Sequence, residues 1–397
     1  MKKQALLCAA LLLGGFSANL GAQETEPITL EIIGRVEVEP QLGLTYRGQL
    51  NAKAHNAFDG EGGLYSNTSL YTHFEGDIVK GLHFNLVNHW LAGSKSGICS
   101  LYDNTWTSQN NWCDYATLSY QISGFKITVG KECLVNGTFE YDPYDYDCHY
   151  LLSSSMWNNF NSYQLGAKAS WVFSPQSEIG FQFSSSPFNT RPFAESPTDK
   201  FFNKGLMSYS LYGFFDKPEE DLWGASVRVA CNMMQFERNS EIPQSRNAFV
   251  IQPTFGFRYD YMNFYAGFDA AVRFATPSSY FNPEKDQALT EGNININFGY
   301  TAGDYFEIFA KAGMDFTTGE YSWLNYRDIY VDADGYEYAV AYYDGKAFFG
   351  GVGAYWYPLG ENRDLRIHLV AGGHSVSKTA SLLFGLTFNF QPLLLGK

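Results

Sequence analysis

Large apolar residues alternate with polar residues along many short stretches of this chain. Examples are FVIQPTFGFRYD at 249–260, NFYAGFDAAVRFA at 263–275 and EGNININFGY at 291–300. In the last of these, Ile294, Ile296 and Phe298 share one face of an extended strand, while asparagines occupy the other. A period of two is typical of a strand with one apolar and one polar face.

The same pattern predicts sixteen strands over the whole chain. They cover 40–51, 63–78, 81–92, 113–123, 125–131, 161–174, 177–187, 203–215, 221–236, 247–260, 262–276, 289–301, 304–317, 345–357, 364–374 and 379–390. The segment TLEIIGRVEVE before Pro40 either extends the first strand or crosses the barrel mouth. Long connections alternate with short ones, except that the last long one is brief. This alternation is typical of an up-and-down barrel whose termini both lie at the end with the short turns.

Composition decides between a barrel in a membrane and a soluble β-sandwich, since the alternation alone fits both. The chain contains 33 Phe and 28 Tyr, and aromatic residues make up 17% of it. A surface facing lipid accepts such rings without a packed core. The uncharged stretch from Thr379 has period two and mean hydropathy over the chain is −0.24, so helical spans are not indicated. We therefore predict an all-β fold, a transmembrane antiparallel up-and-down β-barrel of about 16 strands, which is wide enough to enclose water.

The beginning of the chain has the features of a secretory signal. Lys2 and Lys3 precede an apolar run, and small residues lead to Ala22. We predict a signal peptide at 1–22 and a single outer-membrane barrel domain at 23–397. Removing the signal leaves 25 basic residues against 41 acidic ones, a net charge of −16. Nucleic acid is therefore not expected as a partner.

One long connection, at about 132–160, combines acids and aromatic rings in the sequence VGKECLVNGTFEYDPYDYDCHY, residues 129–150. It follows the fifth predicted strand and is much longer than a usual hairpin loop. Inside a water-filled barrel its acids remain hydrated and its rings pack against the wall. We expect this segment, loop 3, to fold inward and narrow the lumen.

The stretch ITVGKECLVNGTFEYDPYDYDCHY and the following MWNNFNSYQLGAK resemble Gram-negative outer-membrane porins, more closely the phosphate-selective porin O/P type found in Bacteroidota. The resemblance implies a homotrimeric channel constricted by loop 3. Carried over to this chain, the constriction role falls to Glu132, Glu140, Asp142, Asp145 and Asp147. Two features depart from the family: the basic ladder expected for phosphate is not evident, and the terminal aromatic Phe390 is followed by QPLLLGK.

The polar faces of the predicted strands carry charges of both signs. The inward basic residues are Arg47, Lys168, Arg228, Arg258, Arg273, Lys311 and Arg366; the inward acids include Glu75, Asp269, Glu307 and Asp315. Mixed signs argue against a dedicated anion pore. Two interpretations remain open: a transverse field between loop acids and wall arginines, or structural ion pairs that stiffen the wall.

The cysteines after the signal fit an oxidising compartment. We expect disulfides between Cys99 and Cys113 and between Cys133 and Cys148, each closing a loop near fifteen residues and contributing roughly 3 kcal/mol. Cys231 is left over and faces lipid by its phase. A metal site lacks the close spacing of cysteines that such sites use, and the sequence indicates no cofactor.

Together these features predict a porin in the outer membrane. It would pass small hydrophilic solutes and ions through a water-filled channel by passive diffusion, with membrane lipids around it. Alternatives are a phosphate- or anion-selective porin, a non-conducting adhesin and an outer-membrane barrel enzyme. No Gly-x-Ser-x-Gly motif occurs, and we do not predict an enzyme.

Overall fold

A computed structural model describes most of the strands and part of the loops. The described residues are 30–38, 43–47, 51–55, 69–91, 113–140, 152, 154, 163–187, 206–218, 220–236, 248–278, 287–318, 329–331, 337–339, 345–375 and 379–395. The predicted signal peptide lies outside them.

Twenty β-strands are found in these ranges. They are β1 Leu30–Val38, β2 Gly43–Arg47, β3 Asn51–His55, β4 Ser69–Val79, β5 Leu82–Leu91, β6 Cys113–Ile122, β7 Phe125–Cys133, β8 Tyr163–Ser174, β9 Ser177–Ser185, β10 Met207–Phe215, β11 Trp223–Phe236, β12 Ala248–Tyr261, β13 Phe264–Ser278, β14 Gln287–Ala302, β15 Phe306–Thr318, β16 Ile329–Val331, β17 Glu337–Ala339, β18 Gly345–Trp356, β19 Leu365–His374 and β20 Thr379–Leu395.

Sixteen of these strands form one closed, antiparallel barrel. Neighbours in the barrel are neighbours in sequence, apart from the short hairpins β2–β3 and β16–β17, which form separate two-stranded sheets. β1 closes the barrel because it pairs on one side with β20 and on the other with β4: Val36 lies opposite both Phe388 and Leu70. The predicted fold class and strand number are confirmed.

The predicted first strand, 40–51, is wrong. The first barrel strand is β1, and Arg47 lies in β2, whose partner in its own sheet is β3. The physical reason lies in the sequence LEIIGRVEV, which alternates except at Ile33, where the pairing with β20 shifts register, and is free of proline. Pro40, by contrast, begins the predicted strand and has no N–H for a ladder bond. Arg47 is therefore not part of the barrel wall.

The connections that were predicted to be short all lie at one end of the barrel, together with the first residue of β1 and the last residue of β20. Two residues link β4 to β5, where Gly81 has a φ of 79°, and the other predicted short turns follow the same pattern. Leu30, the first residue of β1, lies opposite Leu395 at this end. The long connections, loop 3 among them, lie at the other end, together with the four-residue connection β19–β20.

The barrel is apolar outside and polar inside. On β14, Ile294, Ile296 and Phe298 are 39%, 44% and 42% exposed, while the alternating Asn293 and Asn295 are 0% and 2% exposed. Exposed aliphatic and aromatic side chains recur on the other barrel strands, and buried side chains of Ser, Thr, Asn, Gln and charged residues recur on the opposite face. This is the inverse of a soluble core and is the arrangement of an outer-membrane barrel, whose outer face meets lipid.

Candidate functional site

The inner wall presents the charges that alternation predicts. Those on the inner face are Lys168, Arg228, Arg258, Arg273, Lys311 and Arg366 among the bases, and Glu75, Asp269, Glu307 and Asp315 among the acids. In each case the antiparallel register places them on the face opposite the exposed apolar residues. A functional site within the barrel therefore uses this wall, alone or together with a segment that folds inward.

The first part of loop 3 leaves β7 and runs along the inner wall. Its backbone amides at alternate positions donate to wall side chains on successively more distant strands: Val135 N to Gln182 Oε1 at 3.1 Å on β9, Gly137 N to Thr254 Oγ1 at 2.9 Å on β12, and Phe139 N to Asp269 Oδ1 at 2.7 Å on β13. A spacing of two residues between donors is that of an extended chain. Segment 134–140, the anchored segment, thus lies inside the barrel, as predicted.

The polar inner wall makes this position possible, because an extended segment exposes backbone groups that need partners when buried. The wall supplies acceptors at the bonds above and also a donor, since Asn232 Nδ2 donates to the Val135 carbonyl oxygen at 3.0 Å. An apolar barrel interior could not hold the segment in this way.

The anchored segment also packs closely against the wall. A Cβ atom added at Gly137 would overlap the backbone nitrogen of Ala230, and one added at Gly256 would lie 2.8 Å from the Thr138 Cα. Farther along loop 3, Leu152 is buried with Phe309, Tyr355, Tyr357 and Val370. Loop 3 therefore contacts β11 and β12 through glycine positions, and Leu152 packs in an apolar cluster with residues of β15, β18 and β19.

Glu140 ends the anchored segment in a buried ion pair. Its Oε1 lies 3.0 Å from Lys311 Nζ on β15, and the side chains of Lys311 and Glu140 are 8% and 1% exposed. Ser154 completes the cluster: its backbone N donates to Glu140 Oε1 at 2.6 Å and its Oγ to Oε2 at 3.0 Å. The carboxylate therefore ties the two limbs of loop 3 to the far wall.

Glu132 is held in a similar way at the other end of the segment. Its Oε2 lies 2.7 Å from Lys168 Nζ, and its Oε1 accepts a hydrogen bond from Gln182 Nε2 at 3.1 Å. Of the five acids carried over from the family resemblance, Glu132 and Glu140 are thus each buried against a lysine. The remaining three, Asp142, Asp145 and Asp147, lie outside the described residues.

Three further basic residues of the wall are ion-paired. Arg228 Nε lies 3.0 Å from Asp216 Oδ2, and Arg258 Nη2 lies 2.9 Å from Asp260 Oδ1. Arg273 Nη1 lies 3.5 Å from Glu291 Oε2, with both side chains almost fully buried. With Lys168 and Lys311, five of the predicted basic residues face a carboxylate, which favours the interpretation of structural pairs.

Several arginines also stack on aromatic rings of the lumen. The guanidinium of Arg228 lies 4.3 Å from the ring centre of Phe139 in loop 3, that of Arg258 lies 4.3 Å from Tyr265, and that of Arg366 lies 4.6 Å from Tyr355. Such stacking restricts the planar group while leaving its edges available for hydrogen bonds. Arg228 thereby adds a further contact between the wall and loop 3.

The inner-wall charges that the sequence prediction did not name include Asp260 and Glu291, described above, and two more. Lys126 on β7 and Glu178 on β9 face the lumen in register with the rest of the wall, Lys126 lying opposite Ser170. Lys126 could have been found from the sequence, because it shares the even-numbered face of its strand with Thr128 and Glu132. Glu178 lies two residues after the turn that joins β8 to β9, where phase is difficult to assign.

The cysteine predictions are only partly covered by the structure. Cys231 is exposed on the outer face, as predicted. Cys113 has a free thiol that donates to the Tyr115 carbonyl oxygen at 3.3 Å. Cys99 and Cys148 lie outside the described residues, so both disulfides stay predictions that peptide mapping without reduction would test.

Neither metal sites nor helical spans are found in the parts of the chain that the structure describes. No group of three or more His, Cys, Asp or Glu side chains there could hold a metal ion. Within the same ranges, no helix has the length and apolar character needed to cross a membrane.

Comparison with known proteins supports the fold. No family model matches the chain, and no curated protein matches it in sequence. Solved structures do match. The outer membrane channel DcaP of Acinetobacter baumannii is 10% identical, with a TM-score of 0.57 over 93% of this chain and 99% of that one.

Two other solved structures are similar over comparable lengths. The anion-selective porin from Comamonas acidovorans is 9% identical, with a TM-score of 0.53 over 91% of this chain and 100% of that one. The trimer form of OmpT, an outer membrane protein of Vibrio cholerae, is 9% identical, with a TM-score of 0.50 over 92% and 100%. The chain has the fold of outer-membrane porins.

Proposed function

We propose that this protein is a porin, a water-filled channel for passive diffusion of small hydrophilic solutes and ions across the outer membrane. The observation that carries the proposal is the anchored segment on a polar inner wall of a sixteen-strand barrel. A barrel of this size has room for water beside such a segment. The segment narrows the lumen, as a constriction does, without filling it.

In this proposal the five acids of loop 3 divide into two roles. Glu132 and Glu140 anchor the loop, because each is buried against a lysine and contributes little net charge to the pore. Asp142, Asp145 and Asp147 follow the second anchor and supply the free negative charge at the constriction. Charge at the narrowest point affects ion selectivity more than charge at the rim.

The compensated wall favours a general diffusion channel with weak selectivity. Each ion pair removes the long-range field of both its members, so five pairs leave few net charges on the described wall. A phosphate- or anion-selective porin is the alternative. It would need a run of uncompensated bases, and the described wall pairs most of its bases with acids.

We further propose that the protein is a homotrimer surrounded by outer-membrane lipids. Exposed apolar side chains on the outer face suit both lipid and a neighbouring barrel. The similar barrel of Vibrio cholerae OmpT has a trimer form. Crosslinking in native membranes would distinguish a trimer from a single barrel.

Planar-bilayer recording tests the channel directly. Folded protein inserted into lipid should give stable, ohmic steps of conductance at neutral pH. Protein that is folded by circular dichroism and heat-modifiable migration, yet electrically silent at several voltages, would contradict the proposal. An adhesin would behave in that way, and cleavage of peptide or ester by the same preparation would indicate a barrel enzyme.

A second recording tests the constriction charges. Replacing Asp142, Asp145 and Asp147 together by Asn should shift the reversal potential in a salt gradient towards anions. The matched control replaces Asp332 and Asp334 by Asn and Glu337 by Gln; Glu337 lies in the small β16–β17 sheet, which is not paired with the barrel strands. Equal shifts in both variants would mean that the loop 3 acids act only through net surface charge.

A further inference from the structure

The inner wall contains a recess at the ends of β6 to β10, next to the short turns. Its volume is about 610 Å³, and its lining includes Gln121, Lys126, Glu178, Phe214 and Asp216. This volume falls in the usual range of small-molecule sites. The recess lies on the side of the anchored segment away from the long loops, so a solute would meet it after passing the constriction.

Lys126 differs from the other wall cations around it. Lys168, Arg228, Arg258, Arg273 and Lys311 each face a carboxylate. Lys126 is half-buried and, within the residues that the structure describes, makes neither an ion pair nor a side-chain hydrogen bond. Its ammonium group therefore remains available to an anionic group in the recess.

Glu178 provides an oriented carboxylate in the same recess. Ser170 Oγ donates to its Oε2 at 2.9 Å, and Tyr212 OH donates to its Oε1 at 3.0 Å. Both donors are neutral, so they fix the position of the carboxylate without cancelling its charge. Its remaining lone pairs are open to a cationic ligand group.

The two charges lie close enough to act on one small molecule. Lys126 lies opposite Ser170 on β8, and Ser170 is the residue that binds Glu178 from β9. Two strand spacings separate the backbones of β7 and β9 by about 10 Å. The flexible side chain of Lys126 can extend towards β9, so its ammonium group can come closer to the Glu178 carboxylate than the two backbones are to each other.

Phe214 gives the recess an apolar side. The ring lies 5.0 Å from that of Tyr212 and 5.4 Å from the guanidinium of Arg228, measured between ring centres and to the guanidinium carbon. These contacts hold the ring in place beside the charged groups. The recess therefore combines a cation, an anion and an aromatic surface.

We propose that this recess binds small zwitterionic solutes of dipeptide size as they leave the constriction. The solute carboxylate would bind Lys126, its ammonium group would bind Glu178, and an apolar side chain would pack on Phe214. A simple anion would be repelled by Glu178 and a simple cation by Lys126, so a molecule with both charges fits best. This inference rests on the proposed channel function for its biological meaning, but the binding itself does not require conduction.

Binding to the purified, detergent-solubilised protein tests the proposal without a current. The probe is glycylphenylalanine, measured by isothermal titration calorimetry, with acetate and ethylammonium as single-charge probes. Glycylphenylalanine should bind saturably, and Lys126→Gln and Glu178→Gln should each weaken its binding about ten-fold through loss of one charge-assisted bond. Acetate and ethylammonium should bind more weakly than the dipeptide.

The matched controls remove the same charges from turns at the same end of the barrel. Lys80 and Glu361 lie in the turns β4–β5 and β18–β19, away from the recess. Lys80→Gln and Glu361→Gln should therefore leave dipeptide binding unchanged. Heat-modifiable migration establishes that each variant is folded. If the controls weaken binding as much as the recess variants do, the proposal is wrong.

Three results would overturn the proposed site. They are no saturable binding of the dipeptide, binding that neither recess variant changes, or acetate binding as tight as dipeptide binding and insensitive to Glu178→Gln. Conductance without dipeptide binding would reject the recess while leaving the channel proposal intact. Dipeptide binding without conductance would support the recess and reject the channel.

Discussion

Loop 3 covers one side of the barrel interior and leaves the other side more exposed. On β11 to β15, the side covered by the anchored segment, Asn232, Gln252 and Asn293 are completely buried, and Asp315 is 1% exposed. On β4 to β6, Glu75, Asn85 and Thr117 on the inner face are half-buried, although His73, Val87 and Ser119 on the same face are buried. The loop therefore lies to one side of the lumen, and we expect water and solutes to pass along β4 to β6.

The covered side also contains a network of buried side chains that hydrogen-bond to one another. Gln252 accepts from Arg273, Asn293 donates to Asp315, and Lys311 binds Glu140. A buried network is stable only while its members remain satisfied. We therefore expect substitutions on the covered side to change stability and those on the open side to change permeation.

The largest effect should come from breaking the Lys311–Glu140 pair. Lys311→Met leaves the Glu140 carboxylate buried without its cation, which should cost about 3–5 kcal/mol of folding free energy. Denaturant titration in detergent, followed by heat-modifiable migration, measures the loss.

The double variant Lys311→Met with Glu140→Gln sharpens this test. It removes the uncompensated charge while Gln retains an acceptor for Ser154, so part of the lost stability should return. If the double variant is as unstable as the sum of both single variants, the pair has no coupling and does not anchor the loop.

A somewhat smaller effect is expected from Gly137→Ala. The added Cβ would overlap the backbone of Ala230, so the anchored segment must move away from the wall. We expect a stability loss of about 1–3 kcal/mol and a changed single-channel conductance with more current noise.

Gly224→Ala on the inner face of β11 is the control for Gly137→Ala. There the new Cβ would lie 3.1 Å from the Lys217 Cβ, a tight contact that a shift of a few tenths of an ångström relieves, whereas at Gly137 it would overlap backbone atoms. A normal conductance in both variants would mean that the contact at Gly137 does not set the width of the pore.

These contacts mark the limit of what the sequence could predict. Alternation placed Lys311 and Arg273 on the wall, because the phase of a strand is local information. The partner of Lys311 lies 171 positions away in a loop, and only the register of the seven intervening strands, β8 to β14, brings it there. The sequence therefore predicted the lumen charges and the inward loop, but not which charges cancel.

The first strand shows a different limit. Residues 40–51 and 30–38 both have alternating segments, and only one can close the barrel between β20 and β4. Closure depends on pairing with two strands that lie more than three hundred residues apart along the chain. A local pattern does not contain that information, although Pro40 was a signal against the strand we predicted.

On the open side, the charge of Glu75 should affect permeation. Glu75→Gln removes a half-buried carboxylate beside the expected path and should shift the reversal potential moderately towards anions. Asp315→Asn removes the same charge on the covered side, where the side chain is buried and bonded to Asn293. A shift as large in Asp315→Asn as in Glu75→Gln would place the path on both sides of the lumen.

The smallest effect on current is expected when single cysteines on the two sides of the lumen are labelled chemically. Thr117→Cys on β6 should react with a small charged thiol reagent added in water, because a half-buried wall position beside an aqueous path is reached by ions. Asn293→Cys on β14 should react far more slowly, since the native side chain there is completely buried. The unsubstituted protein gives the background from native cysteines, and mass spectrometry measures the modified fraction.

One added group in so wide a barrel should lower the current only slightly, and only in the Thr117→Cys variant. Faster labelling at position 293 than at position 117 would reverse the assignment of covered and open sides, and would place the conduction path along β11 to β15.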